Sequence, residues 1–308
     1  MAADSERIAL ASFVASAVLA GGNAVAIRFS NRELAPLWGA GARFVVAALL
    51  LLAIMAAMRL PFPRGRALAG AMIFGALNFG GAFAFAYYGL IRVHAGLGQT
   101  LLALVPLATL LLAVVQRQER LRLDAALGSL IALAGVGVIS GASVEGSLPL
   151  LSLLALLGAV LCFAEAAVLV RWFPRVHPVT INAVGMAAGA ALLLGGSFVV
   201  GEPIELPDRP ATWVALAYLV PFGSVLVFVL YLVVLRFWAA SRAAYAFVLI
   251  PFVTVLLSAW LLDEPVGLTL VSGGILILGG VYVGALRTHR PEPDTAGEVL
   301  GLPPRGRG

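Results

Sequence analysis

The chain has 308 residues, of which 62% are hydrophobic and only 11% are charged, and its formal net charge is +5. This composition excludes an ordinary soluble domain. All 20 basic residues are arginines, most of them between apolar segments, so the charge reports membrane topology and requires no nucleic-acid partner. The single cysteine, Cys162, lies within an apolar segment, which excludes an intramolecular disulfide and a cysteine-based metal site.

Ten apolar segments have about the 20-residue length that a helix needs to cross a bilayer. In chain order they cover 8–28, 35–58, 67–91, 94–115, 124–142, 149–170, 179–200, 211–235, 239–262 and 267–286. We therefore predict an all-α integral membrane protein with ten transmembrane helices. A short lead, 1–7, precedes them, and the tail, 287–308, is rich in Pro, Gly and charged residues, which predicts disorder.

The arginines predict the orientation of these ten helices. With the amino terminus inside, 13 arginines lie in inner segments next to the spans and four in outer loops, while Arg43 lies within a span and Arg305 and Arg307 lie far down the tail. Cytoplasmic segments carry the excess of basic residues in membrane proteins. We therefore expect both termini in the cytoplasm.

The second half of the chain repeats the first. A shift of 145 positions aligns 100–139 with 245–284 without a gap, and 12 of the 40 pairs are identical. They include Pro106/Pro251, Glu119/Glu264, Gly128/Gly273 and Gly135/Gly280. The repeats, 8–142 and 149–286, each contain five predicted spans, and an odd number inverts the second repeat in the membrane. Inverted repeats are typical of secondary transporters, which bind substrate between them near the midplane.

Polar and aromatic residues recur in the middle of several predicted spans. We predict that ten residues line a substrate pocket: Asn78, Phe79, Phe83, Tyr87, Gln99, Glu165, Tyr218, Ser224, Tyr231 and Tyr245. Amides and hydroxyls can bind a zwitterion, a carboxylate can attract an ammonium group, and aromatic rings suit an apolar group or a cation. Structural alternatives stay open: the amides can form interhelical hydrogen bonds, the phenylalanines can be core packing, and Glu165 can be satisfied by Arg171 or water.

Five further residues are predicted to act in structure or gating. Arg43 lies about 12 Å inside the second span, where it can pair with backbone carbonyls or Glu165, contact substrate, or extend to the surface. Pro106 and Pro251 remove backbone hydrogen bonds and predict paired bend points. Glu119 and Glu264 each precede a helix start, which predicts helix caps.

Three stretches resemble the EamA-type branch of the drug/metabolite transporter superfamily. They are AGGNAVAIRF, the Pro36…Arg43 pair that opens span two, and LRFWAASRAAYAFVLIPFVTVLLSAWLLDEPVG in the second repeat. The resemblance covers roughly 8–286 and implies two inverted five-helix repeats with a central cavity for metabolite export. Members of the YddG type, which this chain resembles, export amino acids, often aromatic ones. Ala20 stands where the family usually has Trp.

Together these features favour a monomeric secondary exporter of amino acids in the inner membrane of a bacterium, with no cofactor. Hydrophobic cations or other metabolites are alternative substrates. A membrane-embedded enzyme would need a nucleophile–base pair, paired carboxylates or a metal cluster at depth. A passive channel would need a continuous polar stripe. The chain has no GxxxxGK[ST] motif, so we expect no ATP hydrolysis.

Overall fold

The computed structural model describes residues 2–90, 101–140, 150–262 and 268–286, and within these ranges it contains helices and connections but no strand. The first half contains α1 (Ala2–Ser30), α2 (Pro36–Ala57), α3 (Arg66–Gly75), a π-helical turn (Ala76–Gly81), α4 (Ala82–Leu90), α5 (Val105–Val115) and α6 (Leu123–Ser140). The second half contains α7 (Leu150–Leu169), a 3-10 turn (Val170–Trp172), α8 (Pro178–Val200), α9 (Pro210–Leu219), a second π-helical turn (Pro221–Leu226), α10 (Val227–Phe237), α11 (Ala240–Ala243), α12 (Ala246–Leu262), α13 (Leu268–Val281) and a third π-helical turn (Tyr282–Leu286).

Proline sets where three of the long helices begin. Pro36, Pro178 and Pro210 are the first residues of α2, α8 and α9. The first turn of a helix has no acceptor for its amides, so the missing N–H of proline costs nothing there and its fixed φ favours the helix. Gly201 ends α8 in the left-handed region, with φ of 76°, which a residue without Cβ adopts freely.

The helices are those of an integral membrane protein. Five segments are long and apolar enough to cross a bilayer: Pro36–Ala57, Arg66–Gly89, Leu150–Trp172, Pro178–Val200 and Pro210–Phe237. Shorter apolar helices in the described ranges are Val105–Val115, Leu123–Val138, Ala240–Val253 and Val271–Leu286. Large apolar side chains also cover the exterior, for example Phe198, 82% exposed, and Leu268, 88% exposed. A surface of this kind matches lipid rather than water.

Helices of the two halves pack against each other in a reciprocal pattern. α1 contacts α10 and α12, while α7 contacts α4 and α5. α2 pairs with α8, and α6 pairs with α13. The 145-residue shift relates α1 to α7, α4 to α10 and α5 to α12. Exchanging the halves therefore leaves the set of pairs unchanged.

The glycines repeated in the sequence form the crossing of α6 and α13. A Cβ atom added at Gly128 would lie 2.6 Å from the carbonyl oxygen of Gly280, and one at Gly135 would lie 2.7 Å from that of Gly273. No side chain fits at these distances, so glycine is required for the helices to approach so closely. Gly128 and Gly273 are equivalent under the shift, as are Gly135 and Gly280. Each glycine thus contacts the equivalent of the other, which makes the two helices antiparallel.

The first two π-helical turns are also related by this shift. The first covers Ala76–Gly81 and the second covers Pro221–Leu226, so both boundaries differ by 145 positions. A π-helical turn inserts one residue into an α-helix, leaves backbone groups without their usual partners and frequently marks a functional site. The fold therefore contains the same distortion at equivalent positions of both halves.

Candidate functional site

A cluster of aromatic rings occupies the space between the two halves. We call it the central aromatic cluster and define it by Phe44, Phe74, Phe79, Phe83, Phe163, Phe228, Tyr231 and Phe247. Four members come from each half. Phe79, in the first π-helical turn, packs edge to face on Phe228, which follows the second, with ring centroids 4.7 Å apart. This contact joins the two distorted segments directly.

Further ring contacts extend the cluster to α2, α7 and α12. Phe44 of α2 lies 5.1 Å from Phe79 and 5.0 Å from Phe83. Phe163 of α7 lies 6.0 Å from Phe83 and 4.9 Å from Phe247. Tilted and edge-to-face contacts at these distances are favourable beyond the area they bury. The cluster forms an apolar wall whose parts belong to both halves.

Polar atoms without partners occur in the segments that supply this wall. Asn78, in the first π-helical turn, is 1% exposed, and Ser224, in the second, is fully buried. Asn78 Nδ2, Ser224 Oγ and the hydroxyl of Tyr231 have no hydrogen-bond partner among the described residues. Leaving a buried donor or acceptor unmade typically costs about 1–3 kcal/mol. Groups that keep this cost in a native protein call for a functional explanation.

Asn23 of α1 supports the second π-helical turn. Its Nδ2 donates a 2.9 Å hydrogen bond to the carbonyl oxygen of Gly223, within that turn. An amide on a neighbouring helix thus satisfies a backbone acceptor there. Its Oδ1 is buried and has no partner in the described part of the chain.

Arg43 lies beside the cluster and is 3% exposed. Its guanidinium carbon lies 4.7 Å from the centroid of the Phe44 ring and 5.6 Å from that of Phe83. Its Nε has no acceptor among the described residues. The structure therefore places Arg43 against aromatic faces; its predicted pairing with Glu165 does not occur, because that carboxylate is engaged elsewhere.

Glu165 lies at the end of the bundle where α1 begins, which we call the near end and define by Glu6, Glu119, Glu165 and Arg242. Gln116 Nε2 donates to both oxygens of Glu165 at 2.8 Å. Trp172 Nε1 donates to Gln116 Oε1 at 2.9 Å, which fixes the amide. Glu165 is thus held by Gln116 and not by Arg171, and the structure does not bring it to the cluster.

Glu119 also belongs to the near end and joins the two halves. It is 7% exposed, and its Oε1 accepts a 3.2 Å hydrogen bond from the amide of Ser241 while its Oε2 accepts one from the Ser241 hydroxyl. Ser241 is the second residue of α11, so Glu119 caps a helix of the other half and not the helix that follows it. Arg171 lies 3.6 Å away. The equivalent Glu264 lies outside the described residues.

A third contact of the near end attaches the start of α1. Arg242 donates to Glu6 at 2.7 Å, and Trp238 Nε1 donates to the same carboxylate at 3.1 Å. The Arg242 guanidinium also stacks 3.6 Å from the Trp238 ring centroid. At the near end, polar contacts therefore join the first and second halves.

At the opposite end, which we call the far end and define by Glu33 and Glu202, polar contacts join the halves in a similar way. Glu202 accepts from the amides of Leu37 and Trp38 in the first turn of α2, at 3.1 and 2.8 Å. Glu33 accepts from the amide of Asp208 at 2.8 Å and from that of Arg209 at 3.1 Å. Each carboxylate thus binds the amino-terminal region of a helix in the other half, where the helix dipole favours negative charge.

Hydrogen bonds control the acidity of Glu33. A hydrogen bond from the side chain of Thr212 holds the pKa of Glu33 below its ordinary value, against desolvation. The amides of Asp208 and Arg209 and the charge of Arg209 lower it further. This carboxyl group therefore stays ionised to a lower pH than an unperturbed glutamate.

Three predicted pocket tyrosines differ in position. The hydroxyl of Tyr245 donates to the Ala125 carbonyl at 2.6 Å and lies 2.9 Å from Ser129 Oγ. It joins α6 to the start of α12 at the near end, away from the cluster. Tyr218 donates to the Leu19 carbonyl at 2.9 Å and joins α9 to α1. Tyr87 packs 6.4 Å from Phe83, at the edge of the cluster.

The two predicted bend-point prolines occupy different helical positions. Pro106 is the second residue of α5, which begins after a turn at 103–104. Pro251 lies inside α12. The first repeat thus breaks its helix before the proline, where the missing N–H costs nothing, whereas the second repeat keeps the proline within a helix. Gln99, predicted for the pocket, lies outside the described residues.

Sequence reasoning missed several residues of the site. Phe44, Phe163, Phe228 and Phe247 belong to the cluster and were not predicted. The repeat contained a signal for one of them, because Phe228 is the equivalent of Phe83 under the 145-residue shift. On α8, Thr180 and Asn182 are fully buried with side-chain atoms that find no partner in the described ranges. They are polar residues in an apolar span, a signal available from sequence.

Within the described ranges, no group of three or more His, Cys, Asp or Glu side chains is arranged to hold a metal ion. The arrangement at the centre can instead accommodate a small molecule with an apolar part and a few polar groups, which is the usual chemistry of a ligand site.

Proteins with similar sequences are named as transporters, and a solved structure shares this fold. The EamA-like transporter family matches the chain twice, over residues 7–141 and 150–285. An uncharacterized transporter, YyaM of Bacillus subtilis (strain 168), is 26% identical over 73% of this chain and 75% of its own length. An uncharacterized inner membrane transporter, YedA of Escherichia coli (strain K12), is 28% identical over 83% of this chain and 84% of its own length.

One solved crystal structure superposes with a TM-score of 0.77 at 21% identity, covering 92% of this chain and 99% of that chain. At this identity the likeness shows the fold alone. The two family matches together include most of the residues described above and one match falls on each half. The chain belongs to the EamA-like transporter family.

Proposed function

We propose that this protein is a secondary exporter of small metabolites, with amino acids that carry aromatic or other apolar side chains as substrates. The observation that carries the proposal is the pair of π-helical turns at equivalent positions of the two halves, joined by the contact of Phe79 with Phe228. A transporter needs its substrate site at the interface of two units that can move against each other. The central aromatic cluster with its unpartnered polar atoms has this position.

The proposed architecture is ten membrane-spanning helices in two inverted repeats, 8–142 and 149–286. The reciprocal helix pairing and the antiparallel crossing of α6 and α13 support it, since both follow from a two-fold axis in the membrane plane. The two family matches fall on the same halves. The near end faces the cytoplasm in this arrangement, as the arginine distribution indicates. The membrane that holds the protein is the inner membrane of a bacterium.

Alternating access would proceed by opening one end at a time. Glu119 joins the halves at the near end through Ser241, and Glu33 and Glu202 join them at the far end through helix starts of the other half. Breaking the contacts at one end while keeping those at the other would expose the central cluster to one side. The break before Pro106 and the internal Pro251 are the proposed bend points.

Substrate recognition would use both halves. Asn78 comes from the first half, and Ser224 and Tyr231 come from the second. Their amide and hydroxyl groups can bind the polar end of an amino acid, while the aromatic rings contact its apolar side chain. The polar atoms that lack partners in the protein would then be satisfied by the substrate.

Flux measurements on the purified protein in proteoliposomes test the proposal. We expect saturable uptake of labelled phenylalanine by counterflow, competed by other apolar amino acids, and no chemical change of the transported solute. Protein-free liposomes are the control. Uptake no faster than in these liposomes for any amino acid would refute amino-acid transport, and conversion of the solute without flux would indicate an enzyme.

Thiol labelling tests the orientation. Single cysteines would replace Gln118 at the near end and Ile204 at the far end in a Cys162→Ser background. We expect a membrane-impermeant reagent to label the far-end cysteine alone in intact cells. Labelling of the near-end position would overturn the assignment.

A further inference from the structure

Arg43 is a buried charge in the middle of an apolar bundle. Arg43 is only 3% exposed and lies about 10 Å from the start of α2 at a rise of 1.5 Å per residue. A guanidinium cannot release its proton in a protein. Charged side chains are almost never buried without a partner, and inside a membrane span they are rare and usually functional.

The described acidic side chains do not neutralise this charge. Glu202 lies at the start of α2, where its oxygens accept hydrogen bonds from the amides of Leu37 and Trp38. Glu165 is bound to Gln116 at the near end. The ion pairs seen among the described residues join carboxylates to Arg122, Arg171 and Arg242. None of these carboxylates pairs with Arg43.

The groups that do contact Arg43 leave its hydrogen bonding incomplete. The rings of Phe44 and Phe83 lie 4.7 and 5.6 Å from its guanidinium carbon, which is favourable for a cation over an aromatic face. A ring face does not replace an oxygen acceptor in the plane of the guanidinium, and Nε has no acceptor in the described part of the chain. The planar set of donors fits a carboxylate in two-point geometry.

A second unpartnered donor precedes a cluster residue in the sequence. Asn78 Nδ2 is buried without an acceptor, and the next residue, Phe79, packs on Phe44, the ring that Arg43 covers. A buried cation that lacks an acceptor for Nε and lies against an apolar wall fits a ligand that carries an acceptor-rich anion on an apolar body, and the Asn78 amide is a further buried donor in the segment that supplies Phe79.

From these contacts we infer that Arg43 binds the carboxylate of the transported solute, whose apolar part packs against the central aromatic cluster. The inference rests on the proposed transport function and narrows its substrates to organic acids with an apolar group, amino acids among them. It assigns the recognition of charge to a cation in α2 and not to Glu165. Hydrophobic cations, which would face the guanidinium without a counter-charge, are excluded as substrates.

Three small ligands separate the two charges of an amino acid. Phenylalanine carries both groups, hydrocinnamate has the carboxylate without the ammonium, and phenethylamine has the ammonium without the carboxylate. We expect hydrocinnamate to raise the Tm of the detergent-purified wild-type protein and to compete with labelled phenylalanine in proteoliposomes. Phenethylamine at the same concentration should do neither. Equal or stronger effects of phenethylamine would overturn the inference without any variant.

Arg43→Gln tests the residue itself. Removing one partner of a buried charged pair commonly weakens binding by about 30-fold or more, so the concentration of hydrocinnamate needed for a given Tm shift should rise by at least this factor. Arg43→Lys keeps the charge without the two-point geometry and should recover part of the affinity, which also serves if the Gln variant fails to fold. Arg32→Gln is the matched control, since Arg32 is exposed and also covers a phenylalanine, Phe29, at 4.8 Å.

The two proposals fail in different ways. Arg43-dependent binding of hydrocinnamate without flux of any solute would refute transport and leave only the binding of a carboxylate by Arg43. Normal phenylalanine flux through Arg43→Gln would support transport and refute the inference. Failure of every carboxylate to shift the Tm of the wild type would also refute it.

Discussion

The ends of the bundle and its centre differ in whether their polar groups are hydrogen-bonded. At the near end Glu119 accepts from both the amide and the hydroxyl of Ser241, and at the far end Glu202 accepts from two amides of α2. At the centre, Asn78, Ser224 and Tyr231 are buried with polar atoms that find no partner among the described residues. The difference indicates that the ends are built for attachment of the two halves and the centre for a ligand.

The contacts at the two ends also indicate a structural role for the acidic residues. Three carboxylates, those of Glu33, Glu119 and Glu202, bind helix starts that belong to the other half. A carboxylate at a helix start is stabilised by unpaired amides and by the dipole. Because each contact spans the two halves, these residues control how the halves are held together rather than what they bind.

The largest effect on stability is expected from a substitution at the near end. Glu119→Ala removes a buried acceptor from both donors of Ser241 and should lower the free energy of unfolding by about 3 kcal/mol. The partly exposed Arg171, 3.6 Å away, contributes little of this. Thermal unfolding in detergent measures the loss. Ser241→Ala, which removes one of the two hydrogen bonds, should cost about 1 kcal/mol, and an equal loss in both variants would contradict this account.

At the centre, removing a polar group should raise the stability of the protein instead of lowering it. Asn78→Leu replaces a buried amide that lacks an acceptor with an apolar group of similar size, so the protein should gain about 1 kcal/mol of stability. Its phenylalanine flux should fall by about tenfold or more, because the substrate loses a hydrogen bond. Thermal unfolding and flux are measured on the same preparation. A fall in Tm together with normal flux would place Asn78 among the structural residues.

The smallest effect concerns the far end and depends on pH. The hydrogen bonds that lower the pKa of Glu33 stabilise the folded protein fully above the ordinary carboxyl pKa. This stabilisation is lost as the pH falls through the lower folded pKa, where the carboxyl group is protonated in both states. The wild type should therefore have a higher Tm than Glu33→Gln at pH 7, and the difference should shrink below about pH 4.5. A difference that grows on acidification would contradict the assigned contacts.

Much of the fold could be predicted from sequence because the duplication is visible there. The repeated Gly128/Gly273 and Gly135/Gly280 pairs were found by the 145-residue shift, and these four residues form the crossing of α6 and α13. The predicted all-helical membrane protein and its family are confirmed. Apolar length and charge placement carry this information locally, so no tertiary contact had to be known.

The centre was harder to predict. A π-helical turn adds one residue within a helix without changing its apolar character, so hydropathy cannot reveal the turns at 76–81 and 221–226. The cluster joins Phe44 and Phe163 through Phe83, residues that only tertiary packing brings together. Phenylalanine is common in apolar spans, and nothing local marks these rings as neighbours.

The carboxylates show the same limit. The sequence predicts that Glu119 caps the helix that follows it, whereas its carboxylate accepts from Ser241, 122 positions away in the other half. It also gave Glu165 to the pocket because an acid inside a span is rare, whereas Gln116 holds it at the near end. The chemical role of a side chain depends on which group is nearest, and the sequence does not contain that distance.

Two tyrosines of the second half test the central claim most directly, since deleting a hydroxyl changes little else. The hydroxyl of Tyr231 has no partner among the described residues, and that of Tyr245 is bound to Ala125 and Ser129. The measurement is phenylalanine flux per folded protein for Tyr231→Phe beside Tyr245→Phe, with the Tm of each. We predict about tenfold lower flux at an unchanged or higher Tm for Tyr231→Phe, and normal flux at a Tm lowered by loss of about 1 kcal/mol for Tyr245→Phe. Normal flux in Tyr231→Phe with a lowered Tm would contradict the account.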